Sequence, residues 1–226
     1  MYTNSFYATR HNETHYSAEK LMILLIARYP DTKSAIDVGC GVGTFLSTLS
    51  KKGVLDILGV DGKWVNQELL AIDKASFQNI DLTAPDPINR KFDVAITLEV
   101  AEHLSPESAE NFIKWLCTLS DKIFFSAAIP GQGGEFHFNE AWPSYWIDIF
   151  KRNGFMHIDC IRPLIWDDQD IFFWYRQNTF IFERNTQPLQ SELLPVNLVH
   201  PELFNLYVNR PVPLPFFQRL KKRFLK

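Results

Sequence analysis

The chain has 226 residues, of which 46% are hydrophobic and 22% charged, which is enough for one good core but argues against two full domains. The first fifteen residues are polar and the apolar run at residues 21–27 is too short to cross a bilayer, so we expect a soluble, cytoplasmic protein. The three cysteines form no C-x-x-C pair, which argues against a disulfide framework and a cysteine zinc site.

The net charge of −3 conceals two regions of opposite sign. Residues 1–183 hold 16 Lys and Arg against 24 Asp and Glu (−8), whereas residues 184–226 hold 7 against 2 (+5). An acidic body lacks the basic surface that phosphates require, so a nucleic-acid substrate is not expected. Because six prolines also follow residue 187, we expect one domain over residues 1–183 and a Pro-rich, basic extension over residues 184–226.

Taken in chain order, the apolar pattern predicts alternating helices and strands. Residues 1–30 are expected to form an N-terminal lid or helix, with its helical part at residues 18–29. The stretch at residues 35–46 predicts the first strand, a glycine loop and the start of a helix. The remaining strands are predicted at residues 55–60, 76–80, 92–98, 122–129, 156–166 and 178–183. The remaining helices are predicted at residues 44–52, 63–73, 105–119, 143–153 and 168–175.

The glycine loop carries the first functional motif, in the sequence AIDVGCGVGTFL. Gly39, Gly41 and Gly43 alternate, which suits a sharp loop whose backbone contacts a ligand. A dinucleotide fingerprint would need glycine in place of Thr44, and a phosphate-binding loop would end in Gly-Lys-Ser/Thr, so neither spacing matches. The remaining pattern, Asp-x-Gly-x-Gly-x-Gly from Asp37, resembles motif I of class I S-adenosylmethionine (SAM)-dependent methyltransferases.

A second motif strengthens this resemblance. The segment FDVAITLEVAEHL at residues 92–104 is similar to the fourth-strand motif of small-molecule methyltransferases such as the ubiquinone-pathway O-methyltransferases. The resemblance covers residues 30–183. It implies an α/β, Rossmann-like fold with a seven-stranded, mostly parallel sheet of order 3-2-1-4-5-7-6, strand 7 antiparallel, and helices on both faces. It also implies S-adenosyl-L-methionine as the cofactor.

The resemblance places the cofactor at the ends of the first four strands. An acidic side chain at the end of strand two, Asp61, is expected to accept hydrogen bonds from both ribose hydroxyls, although Asp61-Gly62 would also suit an ordinary turn. Asp81 and Leu82 are expected to meet the adenine. The expected cofactor-binding residues are Asp37, Gly39, Cys40, Gly41, Gly43, Asp61, Gly62, Asp81, Leu82 and Glu99.

The chemistry of the methyl acceptor suggests that a histidine acts as the general base. Because the sulfonium already has a good leaving group, the protein mainly aligns the acceptor and excludes water, but a hydroxyl acceptor must also lose a proton. We expect His137 to contact the acceptor and take the proton, and His103 to support it; the alternatives are a surface-loop histidine and a structural one. The expected acceptor-binding residues are Asn139, Trp142, Tyr145, Trp166, Tyr175 and Asn178.

The carboxylates after strand four raise the question of a metal. Glu99 and Glu102 are present, but the carboxylate and amide set of the catechol-type, magnesium-dependent enzymes is not, so we predict no metal. The leading expectation is metal-independent O-methylation of a small molecule or glycan unit. The alternatives are an inactive SAM-fold binding or scaffold protein, an N- or C-methyltransferase, and an oxidoreductase on a true dinucleotide fold, which the spacing disfavours.

The end of the chain is basic and amphipathic. Residues 216–226 place aromatic and leucine side chains on one face of a short helix and five cations elsewhere. Such a segment predicts either peripheral contact with an anionic membrane or a helix docked on its own domain.

Overall fold

The computed structural model describes residues 4–185 and 196–209, with side chains described from residue 14 onward. Its centre is a seven-stranded sheet of order β3-β2-β1-β4-β5-β7-β6. The strands are β1 (Ser34–Val38), β2 (Asp56–Asp61), β3 (Phe77–Asn79), β4 (Val94–Leu98), β5 (Lys122–Ser126), β6 (Phe155–Ile158) and β7 (Phe180–Arg184). The expected order is confirmed, and so is the antiparallel seventh strand, since β7 pairs antiparallel with both β5 and β6.

Helices surround this sheet. They are α1 (Asn4–Arg28), α2 (Thr44–Lys51), α3 (Pro106–Leu119), α4 (Pro143–Arg152), α5 (Arg162–Ile165), α6 (Phe173–Asn178) and α7 (Pro201–Val208). The start of α3 shows how the sequence sets a boundary: the Ser105 hydroxyl accepts the Ser108 N–H, and Pro106 occupies the first turn, where its missing N–H costs nothing. Among the described residues, no helix is long and apolar enough to cross a membrane.

The two faces of the sheet bury separate cores because successive strand residues point in opposite directions. Ala35 packs in the core formed with α1 and α2, whereas the next residue, Ile36, packs in the core formed with α3 and α4. Phe124 and Phe125 of β5 divide in the same way. The sheet is therefore covered on both sides, as its apolar strands require.

The strand register brings the candidate site together. β1 lies between β2 and β4, with Asp37 opposite Gly59 on one side and Ile96 on the other, and β4 pairs in parallel with β5. The carboxyl ends of these four parallel strands therefore meet at one edge of the sheet. Ligands bind at this edge in open α/β sheets.

The predicted helix at residues 63–73 is wrong. The structure has two short 3-10 helices instead, Gln67–Leu69 and Lys74–Ser76. The Asn66 side chain accepts the Glu68 N–H, and the Asp73 side chain accepts the Ala75 N–H. These local side-chain bonds offer the backbone an alternative to a continuous helix.

The region around β6 also differs from prediction. β6 ends at Ile158, and the expected extension to residue 166 contains α5, which has Pro163 in its first turn. The short helix predicted at residues 168–175 lies later, at α6, and Asn178 is the last residue of that helix instead of the start of β7. The extension contains a helix, α7, that the proline pattern did not predict, and the predicted helix at residues 216–226 lies outside the described residues.

Candidate active site

A cleft of about 590 Å³ opens where β1, β4 and β5 end. The glycine loop between β1 and α2 forms one wall, and the segments that follow β4 and β5 form another. Thr14 of α1, residues 173–175 of α6 and Leu206 of α7 also line the cleft. Part of the C-terminal extension therefore contributes to the same cleft as the glycine loop.

Backbone hydrogen bonds and close packing fix the glycine loop. The Gly39 N–H donates to the Val60 carbonyl at 2.8 Å, and the Gly43 N–H donates to the Cys40 carbonyl at 2.8 Å. Gly39 has a φ of +78°, and a Cβ there would lie 2.4 Å from a methyl carbon of Val100. Only glycine satisfies both the backbone angle and this close approach.

Asp61, at the end of β2, is held by donors of the protein itself. Its carboxylate accepts the Gly41 N–H at 2.7 Å and the Gly62 N–H at 2.6 Å. Burial raises the pKa of Asp61, and these two bonds, with a third from the Trp64 side chain, oppose that rise. The Trp64 ring covers Gly62 so closely that a Cβ there would lie 2.2 Å from it.

Asp37 is a buried carboxylate in the wall of the cleft. Its side chain is 2% exposed, and the Oδ2 atom has no hydrogen-bond partner among the described residues. Burial, reinforced by the nearby charge of Asp61, raises the pKa of Asp37 well above its usual range. Burial thus disfavours the charged form of Asp37, whose Oδ2 atom has no donor among the described residues beside the glycine loop.

Glu102 anchors the opposite end of the cleft. It lies in a 3-10 helix (Ala101–His103) after β4, and its backbone carbonyl accepts the Phe138 and Asn139 N–H groups at 2.9 and 3.0 Å. These two bonds tie the loop after β5 to the loop after β4. They bring His137 beside His103, with ring centroids 4.8 Å apart and ring planes at 86°.

Both imidazoles have one ring nitrogen engaged. The His103 Nδ1 lies 3.1 Å from the Phe136 carbonyl, which can only accept, so Nδ1 is the donor. The His137 Nδ1 lies 3.0 Å from Glu140, whose carboxylate also accepts the Gly131 and Gly133 N–H groups. With Nδ1 as the donor in each neutral ring, Nε2 keeps its lone pair.

The Glu102 carboxylate has weaker support, since among the described residues only the backbone N–H groups of Glu102 and Ala128 lie near enough to lower its pKa. The residue is fully buried, and neither of its oxygens accepts a hydrogen bond of normal geometry from the described residues. Burial, with the charges of Glu99 and Glu140 nearby, raises the pKa of Glu102 well above its usual range. Burial and the neighbouring His137 lower the pKa of His103. This end of the cleft thus holds a carboxyl group whose charged form is disfavoured, beside an imidazole whose protonated form is disfavoured.

Comparison with known proteins decides the family. The model of a family described as a methyltransferase domain matches residues 9–126, just over half of the chain. The chain belongs to the methyltransferase domain family. Its fold is that of class I S-adenosylmethionine-dependent methyltransferases.

Individual relatives agree with this assignment. The mitochondrial ubiquinone biosynthesis O-methyltransferase of Dictyostelium discoideum is 33% identical over 111 residues, which cover 41% of this chain and 34% of that protein. The methyltransferase thus spans about a third of the length of this curated relative.

Solved structures share the fold. The amino pentose methyltransferase of Micromonospora echinaspora, with bound SAM, has a TM-score of 0.59 at 14% identity and covers 82% of this chain and 98% of its own. The magnesium protoporphyrin IX methyltransferase of Synechocystis PCC 6803, with bound S-adenosylhomocysteine (SAH), has a TM-score of 0.53 at 19% identity and covers 75% and 82%.

The structure divides the predicted cofactor residues of the methyltransferase into two groups. Half of them line the cleft: Asp37, Gly39, Cys40, Gly41 and Glu99. The other half lie outside the lining: Gly43, Asp61, Gly62, Asp81 and Leu82. Asp61 nevertheless contacts the glycine loop through Gly41, whereas Asp81 is exposed and accepts the backbone and hydroxyl groups of Thr83.

The predicted acceptor residues are more scattered. His103, His137 and Tyr175 line the cleft. Asn178 reaches it indirectly by donating to Glu99 and to Gln132, at 3.1 and 2.8 Å. The remaining four lie outside the lining: Asn139, Trp142, Tyr145 and Trp166. The Trp166 ring packs instead against His200, with centroids 4.7 Å apart.

Sequence reasoning missed three polar residues of the cleft region. Glu102 was noted only as a carboxylate, and neither Gln132, which donates to Glu99 at 2.7 Å, nor Glu140, which holds His137, was expected. One signal was available: Glu102 and His103 follow β4, His137 follows β5, and these strands are neighbours. Their loops had to meet at the same edge.

Proposed function

We propose that this methyltransferase transfers the methyl group of SAM to a hydroxyl of a small molecule or glycan unit. The observation that supports this proposal is that one cleft contains both groups of residues that the reaction requires. The cleft joins a glycine loop to a cluster of Glu102, His103 and His137, a set of acceptors that a hydroxyl donor would complete.

The cofactor end fits SAM by charge. SAM carries an ammonium and a sulfonium, and Asp37 presents a buried carboxylate oxygen without a partner in the cleft wall. A cationic ligand would offset the cost of this buried charge. We propose that Asp61 accepts the ribose hydroxyls, which requires the Trp64 side chain to yield its bond to Asp61, and that Asp81 and Leu82 meet the adenine.

The acceptor end fits a group that must lose a proton. The methyl carbon forms a bond to the acceptor oxygen as its bond to sulfur breaks, SAH leaves as a neutral thioether, and the hydroxyl proton passes to Nε2 of His137. We propose that the acceptor oxygen lies against Nε2 of His137 and that His103 supports His137 by edge-to-face packing. The alignment of the acceptor oxygen with the methyl group would supply most of the rate enhancement.

The relatives support a small acceptor. The Dictyostelium relative is named as a ubiquinone biosynthesis O-methyltransferase, and the two solved structures act on an amino pentose and a porphyrin by their names. The acidic composition of residues 1–183 agrees with a substrate other than nucleic acid. We also propose that residues 196–209 work with the domain that precedes them, since Leu206 lines the cleft.

N-methylation is the second candidate, and one observation favours it. An ammonium could donate to the same acceptors of Glu102, His103 and His137 that a hydroxyl would complete. An amine acceptor would need to lose a proton before the transfer, so a neutral imidazole would serve both reactions.

One assay separates these candidates. The full-length methyltransferase is incubated with SAM and with pairs of acceptors that differ only in a hydroxyl or an amine, and SAH release is measured. Faster release with the hydroxyl member of each pair supports O-methylation, and faster release with the amine supports the second candidate. Calorimetric binding of SAH without release from any acceptor would favour a binding or scaffold role.

A further inference from the structure

We propose that Glu102, His103 and His137 bind one divalent first-row transition metal ion in the cleft. One ligand-type atom from each of these three side chains lies within 4.8 Å of the other two. Two atoms bound to one ion at about 2.1 Å are at most about 4.2 Å apart, so small side-chain movements would complete the site.

The two imidazoles make the hydrogen bonds through Nδ1 that are typical of metal-binding histidines. A histidine that binds a metal through one ring nitrogen usually donates the other to a carboxylate or a backbone carbonyl, which fixes the ring and its tautomer. Here His137 donates Nδ1 to Glu140, and His103 donates Nδ1 to the Phe136 carbonyl. The Nε2 atoms are left as the ligands.

The Glu102 carboxylate supplies the independent evidence for a cation. It is fully buried, lines the cleft, and accepts no hydrogen bond of normal geometry from the described residues, although the backbone N–H groups of Glu102 and Ala128 lie near enough to lower its pKa. An isolated buried carboxylate is costly unless it is paired with a cation or coordinates a metal. No Lys or Arg is among the described residues that line the cleft, so these residues do not supply that cation.

The donor set selects the class of metal. Two imidazole nitrogens and one carboxylate suit Zn²⁺, Fe²⁺ or Co²⁺, whereas Mg²⁺ and Ca²⁺ prefer an all-oxygen set. Three protein ligands leave coordination positions open on the side of the cleft. This arrangement is typical of sites where a substrate or water completes the coordination.

The role of the ion in catalysis rests on the proposed function. An acceptor hydroxyl at an open position would be easier to deprotonate, because a bound cation stabilises the alkoxide that forms. His137 would then be a metal ligand instead of the direct proton acceptor. The inference departs from the expected metal independence, which considered only the magnesium-type ligand set of carboxylates and amides.

Metal binding is tested directly, without acceptor. The full chain is freed of metal with a chelator and titrated with Zn²⁺ in a calorimeter. The proteins compared are the wild type, the ligand variants Glu102→Gln and His137→Gln, the variant Glu140→Gln, and the matched control His157→Gln on β6.

We expect the wild type and the control to bind one ion per chain. Both ligand variants should bind Zn²⁺ at least ~100-fold more weakly, and Glu140→Gln about 10–100-fold more weakly.

SAH binding and circular dichroism verify that each variant is folded, and His103→Gln replaces any ligand variant that is not. Absence of stoichiometric Zn²⁺ binding in the wild type, or equal binding in the wild type and both ligand variants, would overturn the metal site. Because no acceptor is present, this result is independent of the proposed O-methylation, which the SAH-release assay tests separately.

Discussion

The two ends of the cleft each contain a buried carboxylate, but they hold it differently. Asp61 at the cofactor end accepts two backbone N–H groups and a bond from Trp64, whereas Glu102 at the acceptor end accepts no hydrogen bond of normal geometry from the described residues. The Asp61 carboxylate is therefore held by the protein before any ligand binds. The acceptor end is a set of acceptors that a bound species must complete.

Asp37 shows that the number of hydrogen bonds to a carboxylate depends on whether the carboxylate lines the cleft. It lies in β1 at the cofactor end, yet one of its oxygens has no partner, as in Glu102. Both Asp37 and Glu102 line the cleft, and Asp61 does not. We propose that the unpartnered oxygens mark the wall of the cleft that meets a cationic ligand, and that Asp61 supports the glycine loop.

The largest effect is expected at the acceptor end. His137→Ala should lower turnover by roughly 10²–10⁴-fold while SAH affinity stays within about threefold, because the imidazole serves the transfer step as a proton acceptor or a metal ligand. Steady-state SAH release and calorimetric SAH binding measure the two quantities. His157→Ala is the control, and an equal loss in both variants would show that His137 has no special role.

A smaller effect is expected at the cofactor end. Asp61→Ala should weaken SAH binding about 10–100-fold, since it removes the proposed ribose acceptor and the bond that orders the Gly41 N–H, each worth about 1–3 kcal/mol. Asp61→Asn keeps one acceptor oxygen and should lose less. Unchanged calorimetric affinity in both variants, with intact circular dichroism, would refute the ribose contact.

The close packing of the glycine loop can be tested by comparing alanine substitutions at Gly39 and at Gly53. Gly39→Ala should reduce the free energy of unfolding by about 1–3 kcal/mol more than Gly53→Ala, because overpacking carries a cost of that size. Both glycines have positive φ, but a Cβ at Gly53 has nothing within 4 Å, whereas one at Gly39 lies 2.4 Å from Val100. Urea unfolding measures the difference, and equal stabilities would show that Val100 moves aside freely.

The smallest effect is expected at Asp81, the exposed residue that we propose to contact the adenine. Asp81→Ala should weaken SAH binding by about fivefold or less, because a solvent-exposed hydrogen bond contributes at most about 1 kcal/mol. Asp86→Ala, another exposed carboxylate of the same loop, is the control for general charge effects. A loss at Asp81 as large as that at Asp61 would mean that the loop closes over the cofactor.

The fold was predictable in the segments where a sequence motif requires a particular backbone conformation. The glycine spacing and the fourth-strand segment indicated the order of the sheet and the position of the cleft, and both are found. The helix predicted at residues 63–73 failed because Asn66 and Asp73 cap short turns, a competition that apolar periodicity does not reveal.

The acceptor end was less predictable because its properties come from tertiary contacts. The sequence shows Glu102, His103 and His137, but it shows neither that Glu102 is fully buried nor that the two imidazoles touch. The place of Trp166 beside His200 likewise depends on α7, which follows a proline-rich segment and was not predicted.

The central claim is that the two ends of the cleft form one site, with the methyl group delivered to the cluster of Glu102, His103 and His137. The most direct measurement is a crystal structure of the full chain with SAH. The account predicts that the thioether sulfur faces this cluster, with the ribose at Asp61 and the Trp64 side chain displaced. A sulfur atom directed away from the cluster, or SAH bound outside the glycine loop, would contradict it.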